Sequence, residues 1–421
     1  MIETVRDDWR ATLAVVSGGH FLSHFYFLAL PPLFPLLRGE FGLNNTELGL
    51  LVSVLTVGGL LQAPVGNVVD RVGAKWILVA GLGVTAGGIA LLGVGPTYPA
   101  LLALAVVSGV GQSAFHPADY AVIDAVTDPG VRGRAFSVHT FSGFAGFAAA
   151  PVVVGTLAYA SGWRAALLVV GGAGVLYAAL AAVALAPTGP GAEAGDAGEA
   201  EAEADADASD AGSDGDGSFL AALRRPGLLA MVGFFLLMSF AGKGVQTFTS
   251  VLAANAFALP ESVGNTLLTV YFALGAVGVL TGGVLADRYP PSRVIAGSLL
   301  VGATALLATV AGLVPAGAGP LLAVFGLVGF FVSLVNPSRD RLVSDRSASG
   351  SMGQSFGIVF TGGTVGGLVG PVLLGAVADG VSVTTSFLLV GGFFLAAGAL
   401  AFSLGRGWLA PERASTPVEG D

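Results

Sequence analysis

Polar and ionisable side chains recur at helical spacing inside long apolar stretches of this chain. Residues three or four positions apart lie on the same face of a helix, so such pairs can present their polar groups to one site. Because polar groups are costly inside a membrane, we interpret these residues as candidates for a substrate or ion pathway. The candidates are His20 and His24, His116 and Asp119, His139, Lys243 and Gln246, and Asn336 and Arg339.

Lys243 is the candidate whose charge is most costly to place inside an apolar helix. An ammonium group within an apolar helix requires a negative partner, an aqueous cavity or the loss of its proton. Two partners fit the sequence equally well: an anionic group of a solute, or an internal ion pair with Asp119. Asn336 and Arg339 lie close to the predicted end of their helix, so gating is an alternative to binding for that pair.

The histidines also have two alternative roles. Imidazole titrates near neutral pH, so His20, His24 and His139 are candidates for carrying protons. A hydrogen-bonded packing residue is the alternative for each of them, and the pair of His20 and His24 on one helix face favours function. The four histidines are scattered over the sequence without a carboxylate framework, so we expect no metal site.

Other chemistries lack their residues in this sequence. There is no cysteine, which excludes disulfides and thiolate chemistry. No Gly-x-x-x-x-Gly-Lys-Ser/Thr run occurs, so ATP hydrolysis has no support. No nucleophile and base constellation is recognisable either. We therefore expect no enzyme, no cofactor and no nucleic acid partner.

The apolar stretches themselves predict a membrane protein. Of the 421 residues, 54% are apolar and only 11% are charged, so lipid must be the solvent for most of the chain. A bilayer-crossing helix needs about 20 residues. Twelve such helices are predicted, at 11–37, 46–69, 76–95, 98–120, 133–160, 164–186, 228–254, 261–286, 293–314, 319–341, 352–378 and 383–404.

The distribution of Lys and Arg predicts the orientation of these helices. If both termini are cytoplasmic, 15 basic residues fall on or near the cytoplasmic face, and only Arg38 and Arg164 fall on the other. Cytoplasmic loops of membrane proteins carry such an excess. The pattern indicates a multi-pass protein of the plasma membrane with both termini in the cytoplasm.

A run of small and acidic residues divides the chain. Ten carboxylates lie between Glu193 and Asp216, and residues 187–218 contain no large apolar side chain, which predicts a disordered cytoplasmic tether. The predicted domains are an N-terminal six-helix bundle at 1–186, an acidic linker at 187–225, a C-terminal six-helix bundle at 226–405 and a cytoplasmic tail at 406–421.

The two halves repeat one motif. Gly66-Asn-Val-Val-Asp70-Arg71 follows the second helix, and Gly283-Val-Leu-Ala-Asp287-Arg288 follows the eighth. With its continuation Val-Gly73-Ala-Lys75, the first copy resembles the signature loop of the major facilitator superfamily, although Ala74 stands where that family usually has a second basic residue. The resemblance implies an all-α fold of two pseudo-symmetric six-helix bundles.

The same resemblance assigns roles to residues. It implies that the first, fourth, seventh and tenth helices, which carry most of the polar candidates, line a central cavity. It also implies a conformational latch at the two loops, formed by Gly66, Asp70, Arg71, Gly73, Lys75, Gly283, Asp287 and Arg288.

Small residues recur in the fifth and eleventh helices. Such faces let helices pack closely and bend. They resemble the antiporter motif of the superfamily's efflux members, although Ala150 stands where those members have glycine, and generic membrane packing is the alternative. The motif residues are Gly146, Pro151, Gly155, Gly366, Gly370 and Pro371.

A function follows from these patterns as an expectation. Phe115-His116-Pro117 resembles a segment of fosmidomycin-resistance-type efflux transporters. We expect a monomeric secondary transporter that works by alternating access, exporting a small anionic or amphiphilic solute in exchange for protons, or for sodium. Uptake or exchange of an organic anion is one alternative. A sensor or scaffold without transport is the alternative from another class.

Overall fold

The computed structural model describes residues 9–185, 226–345 and 352–406, and over these residues the chain forms twelve long apolar helices. The predicted number of spans is therefore confirmed, while the acidic linker lies outside the described residues. Helices α1 to α6 span Trp9–Phe41, Asn45–Val72, Ala74–Leu92, Tyr98–Val126, Pro129–Ser161 and Trp163–Ala184. Helices α7 to α12 span Pro226–Phe257, Glu261–Arg288, Pro291–Val310, Ala318–Ser344, Met352–Gly380 and Val383–Gly405.

Three of these spans are interrupted, and proline explains two of the interruptions. In α1 the regular helix ends at Phe27, because Pro31 and Pro32 lack the N–H groups that would continue the ladder. In α4 the helix Tyr98–Gln112 stops before Phe115–Val126 begins, since Pro117 cannot donate to the carbonyl four residues earlier. Interrupted helices of this kind form the substrate sites of many transporters.

The third interruption, in α2, accompanies a close crossing of helices. Residues Val57–Leu61 form a 3-10 segment between two α-helical parts. A Cβ at Gly58 would overlap with the carbonyl oxygen of Gly109, so α2 and α4 approach to backbone contact there. Only glycine permits this approach.

The twelve helices form two bundles, α1–α6 and α7–α12, which meet along α2 with α11 and along α5 with α8. We call the face of the loops at 70–75 and 287–288 the motif face, and the opposite face, with the turns at 42–44 and 380–382, the distal face. At the motif face Gly73 has a φ of 89°, a left-handed value that favours glycine. Buried apolar side chains from both bundles form a shared core, and a second apolar cluster lies within the first bundle.

The bundles are joined at the distal face by a contact between α2 and α11 that we call the distal gate. It consists of Asn45, Thr46 and Gly49 on α2 and of Pro371, Gly375 and Asp379 on α11. Asp379 Oδ1 accepts two hydrogen bonds from Asn45, from its backbone N at 2.9 Å and from its side-chain Nδ2 at 2.7 Å. Asp379 Oδ2 accepts two from Thr46, from its backbone N at 2.8 Å and from its Oγ1 at 2.7 Å.

Glycine allows the backbones to touch at this gate. A Cβ at Gly49 would overlap with the carbonyl oxygen of Pro371, and a Cβ at Gly375 would overlap with that of Asn45. This close approach lets Asp379 accept from N–H groups at the start of α2 that have no partner within their own helix. The distal face is closed by a carboxylate of one bundle that caps a helix of the other.

Candidate functional site

A cavity of about 960 Å³ lies between the two bundles. Its wall is formed by α1, α2, α4 and α5 from the first bundle and by α7, α8, α10 and α11 from the second. It reaches Asp287, Arg341 and Asp345 at the motif face, while the distal gate is closed. Seven predicted pathway residues line it: His20, His24, His116, Lys243, Gln246, Asn336 and Arg339.

All four histidines of the chain lie together, three of them on the cavity wall and His139 behind it, in a group that we call the imidazole cluster: His20, His24, His116 and His139. The ring centroids of His20 and His24 are 4.2 Å apart, and the rings of His20 and His139 stack at 3.9 Å with an interplanar angle of 9°. His116 lies 5.6 Å from His20 and 6.0 Å from His24. His20 and His139, which are 119 positions apart in sequence, are therefore neighbours in the fold.

A carboxylate lies behind this cluster. His139 Nε2 and Asp119 Oδ2 are 3.1 Å apart, and both side chains are completely buried. A carboxylate accepts hydrogen bonds, so His139 Nε2–H donates to Asp119. His20 Nδ1 lies 2.9 Å from the carbonyl oxygen of His139, and a carbonyl can only accept, so this Nδ1 carries the hydrogen. The protonation pattern of two imidazoles is thus fixed by their partners.

Replacing Asp119 with alanine should destabilise the protein, because His139 Nε2–H would be buried without an acceptor. We expect the free energy of unfolding to fall by about 2 to 3 kcal/mol. The apparent melting temperature of the purified protein in detergent reports this loss of stability. Asp119→Asn keeps an acceptor oxygen and should melt between the wild type and the alanine variant. Equal melting temperatures for the two variants would show that the hydrogen bond contributes nothing.

Lys243 lies on the opposite wall, on α7. Its Nζ donates to Gln246 Oε1 at 3.0 Å and lies 4.9 Å from the centroid of the Phe27 ring on α1. An ammonium over an aromatic face gains a cation–π interaction. The ion pair with Asp119, one of the two sequence alternatives, is not the contact shown for either residue, since Asp119 accepts from His139.

The sequence interpretation missed several polar cavity residues, among them Ser23 and Gln112. Ser23 Oγ donates to Gln112 Oε1 at 2.6 Å, and Gln112 Nε2 donates to the Ser23 carbonyl oxygen at 2.9 Å, which joins α1 to α4 beside the imidazole cluster. Both are buried polar residues in apolar helices, the same signal that singled out the histidines.

Comparison with known proteins gives a family for this arrangement. The family model described as Major Facilitator Superfamily matches residues 16–264 and 237–420, which together cover almost the whole chain. The chain belongs to the major facilitator superfamily. It is therefore a multi-pass membrane transporter, and the superfamily predicted from the sequence is confirmed.

Two curated relatives match over most of their length. The uncharacterized MFS-type transporter YfnC of Bacillus subtilis (strain 168) is 26% identical over 408 residues, which cover 93% of this chain and 92% of that protein. The fosmidomycin resistance protein of Escherichia coli (strain K12) is 25% identical over 381 residues, covering 88% and 87%. The curated relatives are thus named as transporters or for resistance.

Solved structures of the superfamily share the fold. A bacterial homolog of the human lysosomal transporter Spinster, in an inward-facing and unoccupied conformation, superposes with a TM-score of 0.78 at 14% identity and covers 95% of this chain and 98% of that one. The nucleoside transporter NupG, as its D323A mutant, superposes with a TM-score of 0.76 at 14% identity, covering 94% and 100%. The predicted fold of two six-helix bundles is confirmed.

The superfamily loop residues lie at the mouth of the cavity. Gly66 and Lys75 are buried, whereas Asp70 and Arg71 are exposed at the motif face. In the second copy Asp287 and Arg288 are exposed, and Asp287 and Gly283 line the cavity. The latch role therefore stays a prediction for the conformation in which this mouth is closed.

Arg339 lies deeper on α10, beside an acidic neighbour. Its Nε donates to Asp340 Oδ1 at 2.7 Å, and its guanidinium carbon lies 5.0 Å from the centroid of the Phe235 ring. Asn336 lines the same wall. Both residues face the cavity between the Lys243 region and the motif face, so the choice between binding and gating stays open for them.

The small-residue motifs bring helices together. A Cβ at Gly146 would overlap with the carbonyl oxygen of Phe21, and one at Gly366 with that of Leu236, so α5 packs on α1 and α11 packs on α7. Gly155 faces Asn265 across the contact between α5 and α8, and Gly370 faces Phe240. Pro151 and Pro371 lie inside their helices.

Proposed function

We propose that this transporter exports a small anionic or amphiphilic solute across the plasma membrane, in exchange for protons, by alternating access. The main support for this proposal is the position of Lys243. Its ammonium lies on the wall of a cavity between the bundles, where it donates to an amide oxygen and lies over an aromatic ring. An anionic group of a solute in the cavity gains a charge-assisted contact with this ammonium.

The rest of the wall suits the apolar part of such a solute. Phe144, Phe147 and Phe235 line the cavity together with Phe27. Ligand sites for small organic molecules have volumes of roughly 300 to 1,000 Å³ and combine apolar walls with a few placed polar groups. The volume of about 960 Å³ accommodates a solute of that class.

The proposed direction has two supports. The cavity reaches the motif face, which the excess of Lys and Arg predicts to be cytoplasmic, so this conformation can load a solute from the cytoplasm. Two relatives are named for resistance, the fosmidomycin resistance protein and multidrug resistance protein 1 of Bacillus subtilis.

Uptake of an organic anion is the second candidate, and particular relatives favour it. The probable sulfoacetate transporter SauU of Cupriavidus necator is 26% identical over 404 residues, and a probable L-galactonate transporter of Escherichia coli matches over 34% of this chain. Both relatives are named for organic anions, so either direction gives Lys243 the same role. Solute accumulation against concentration, with the proton gradient imposed in each direction, separates export from uptake.

The energy source in this proposal is an ion gradient. The sequence has no phosphate-binding loop for a nucleotide, and superfamily transport by rocking bundles draws on gradients. Protons are the proposed coupling ion, and sodium is the alternative. Solute-induced alkalinisation inside proteoliposomes that is unchanged without sodium supports protons, whereas flux that requires sodium contradicts them.

Lys243→Ala should selectively reduce the transport of anions. The loss of one charge-assisted contact amounts to about 1.5 to 3 kcal/mol, or roughly 10- to 150-fold in kcat/KM. The measurement is flux in proteoliposomes under an imposed pH gradient, with an anionic compound and its neutral analogue compared in the same preparation. We expect the neutral analogue to be little affected, and Lys243→Arg to restore part of the anion flux.

Thr247→Val is the matched control. Thr247 lies one turn later on α7 and is buried away from the cavity, so its replacement by an isosteric side chain should leave both fluxes unchanged. If Lys243→Ala slows both compounds equally, Lys243 is structural and the anion assignment is wrong. If the wild type moves no solute at all but binds a cytoplasmic protein stably, the scaffold alternative replaces transport.

A further inference from the structure

Three imidazoles of the cluster lie together on the wall of the cavity. One ring nitrogen of each of His20, His24 and His116 lies within 4.8 Å of the corresponding nitrogens of the other two. Imidazole nitrogen is the commonest metal ligand in proteins. A tetrahedral zinc ion, at about 2.0 to 2.1 Å from each nitrogen, places its ligand atoms about 3.3 Å apart. Small rotations of the three rings are therefore enough to close around an ion.

The hydrogen bonds of His20 leave the correct nitrogen available. Because Nδ1–H donates to the His139 carbonyl oxygen, Nε2 of the neutral ring carries a lone pair. Within the described part of the chain, Nε2 of His20 and Nδ1 of His24 are buried without a hydrogen-bond partner. Buried nitrogens of this kind require an explanation, and coordination of a cation supplies one.

The residues behind the wall resemble the outer shell of a metal site. Ligating histidines usually donate their second N–H to a carbonyl or carboxylate, which fixes the orientation of the ring. His20 donates to a backbone carbonyl, and its ring stacks at 3.9 Å on His139, which Asp119 holds in turn. His139 and Asp119 do not line the cavity, so they position the wall and leave coordination to the three imidazoles.

Gly143 on α5 makes room for this arrangement. A Cβ at this position would lie 2.7 Å from His24 Nδ1 and 2.9 Å from His20 Cε1. Any larger residue would displace both imidazoles. The glycine therefore permits two ligands from one face of α1 to lie directly against α5.

We propose that His20, His24 and His116 bind a divalent transition-metal cation of the zinc class. Three histidines with one open position form a known zinc arrangement, and the absence of carboxylate or thiolate among them favours zinc, nickel, cobalt or copper over magnesium and calcium. The fourth position would take water or an anion. Lys243 lies across the cavity, and its positive charge favours an anionic fourth ligand over a second cation.

This site is separate from the proposed anion contact, so its test does not use transport. Isothermal titration of the purified full chain with Zn²⁺ alone should show one ion bound per chain. His20→Ala, His24→Ala and His116→Ala should each weaken binding by more than about 100-fold, beyond the effect usual for outer-shell residues. Co²⁺ should give the visible absorption bands of a tetrahedral site, and Zn²⁺ should remove them.

Two further variants distinguish coordination from folding. Gly143→Val retains all three ligands and should also weaken Zn²⁺ binding, because its side chain displaces the rings. Thr247→Val should bind as the wild type does. Size-exclusion chromatography checks that each variant is folded, because a folded variant elutes at the volume of the wild type. If His24→Ala elutes differently, His24→Phe takes its place.

The acidic segment is the competing binder. It has ten carboxylates between Glu193 and Asp216, which can attract cations without a structured site. If Zn²⁺ binds equally well to the chain in which all three histidines are alanine, the ion belongs to these carboxylates and the proposal is overturned. It is equally overturned if the wild type binds no stoichiometric ion.

Discussion

Gly49→Val should hold the two bundles apart at the distal face, so that the cavity opens there instead of at the motif face. Its Cβ would overlap with the carbonyl oxygen of Pro371, a backbone atom that cannot rotate away. Closely packed helices do not deform continuously, and a transporter of two rigid bundles relieves such an overlap by changing state. We expect the distal-closed conformation to become the minor one.

A single introduced cysteine reports this opening, because the chain contains none of its own. Asn265 is buried in α8 and faces Gly155 of the other bundle, so the thiol of Asn265→Cys lies beneath the closed distal face. Its reaction with a membrane-impermeant maleimide should become at least about 10-fold faster in the Gly49→Val background, in proportion to the population shift.

Gly87→Val is the control for this experiment. Gly87 lies on α3, and a Cβ there would meet no atom within 4 Å. The substitution should leave labelling unchanged. If Gly49→Val lowers the melting temperature without accelerating the labelling of the introduced thiol, then the glycine serves packing within one state, and the gate interpretation fails.

Asp379→Ala should shift the same equilibrium through hydrogen bonding. The variant loses four hydrogen bonds between the bundles. Because Asp379 is exposed to water, we take each at the low end of the usual range, about 0.5 kcal/mol. The sum of about 2 kcal/mol corresponds to a roughly 30-fold change in the ratio of the two conformations. The maleimide reaction of the Asn265→Cys thiol measures it.

Glu47→Ala separates this effect from simple capping of α2. Glu47 accepts from Asn44 N in the capping box of the same helix, and so acts within one bundle. We expect it to leave the labelling rate unchanged. Equal acceleration by Glu47→Ala and Asp379→Ala would mean that fraying of α2, and not the link between bundles, opens the distal face.

The sequence predicted the membrane-spanning helices well because that signal is local. Each helix satisfies its own backbone hydrogen bonds, and its apolar run is visible without any knowledge of its neighbours. The interruption of α1 was less visible: its predicted span of 11–37 runs through Pro31 and Pro32, where the structure replaces the regular helix with a 3-10 turn. Proline was the available signal.

Seven of the predicted pathway residues line the cavity, but their arrangement there was not predicted. Helical spacing paired His20 with His24, yet the contacts of His20 with His139 and with His116 depend on how α1, α4 and α5 pack. The same limit produced the alternative of an ion pair between Lys243 and Asp119, which ignored the nearer partner His139. The role of Asp379 had no local signal, because helix caps are normally supplied by neighbouring residues.

The contact between Lys243 and Phe27 has a further consequence for the transport cycle. Phe27 belongs to the first bundle and Lys243 to the second, so their cation–π interaction bridges the boundary along which the bundles must rotate. An anion that neutralises the ammonium weakens this bridge, whereas an unloaded carrier keeps it. A solute-loaded carrier would then reorient over a lower barrier than an empty one, so the empty carrier would seldom change its orientation.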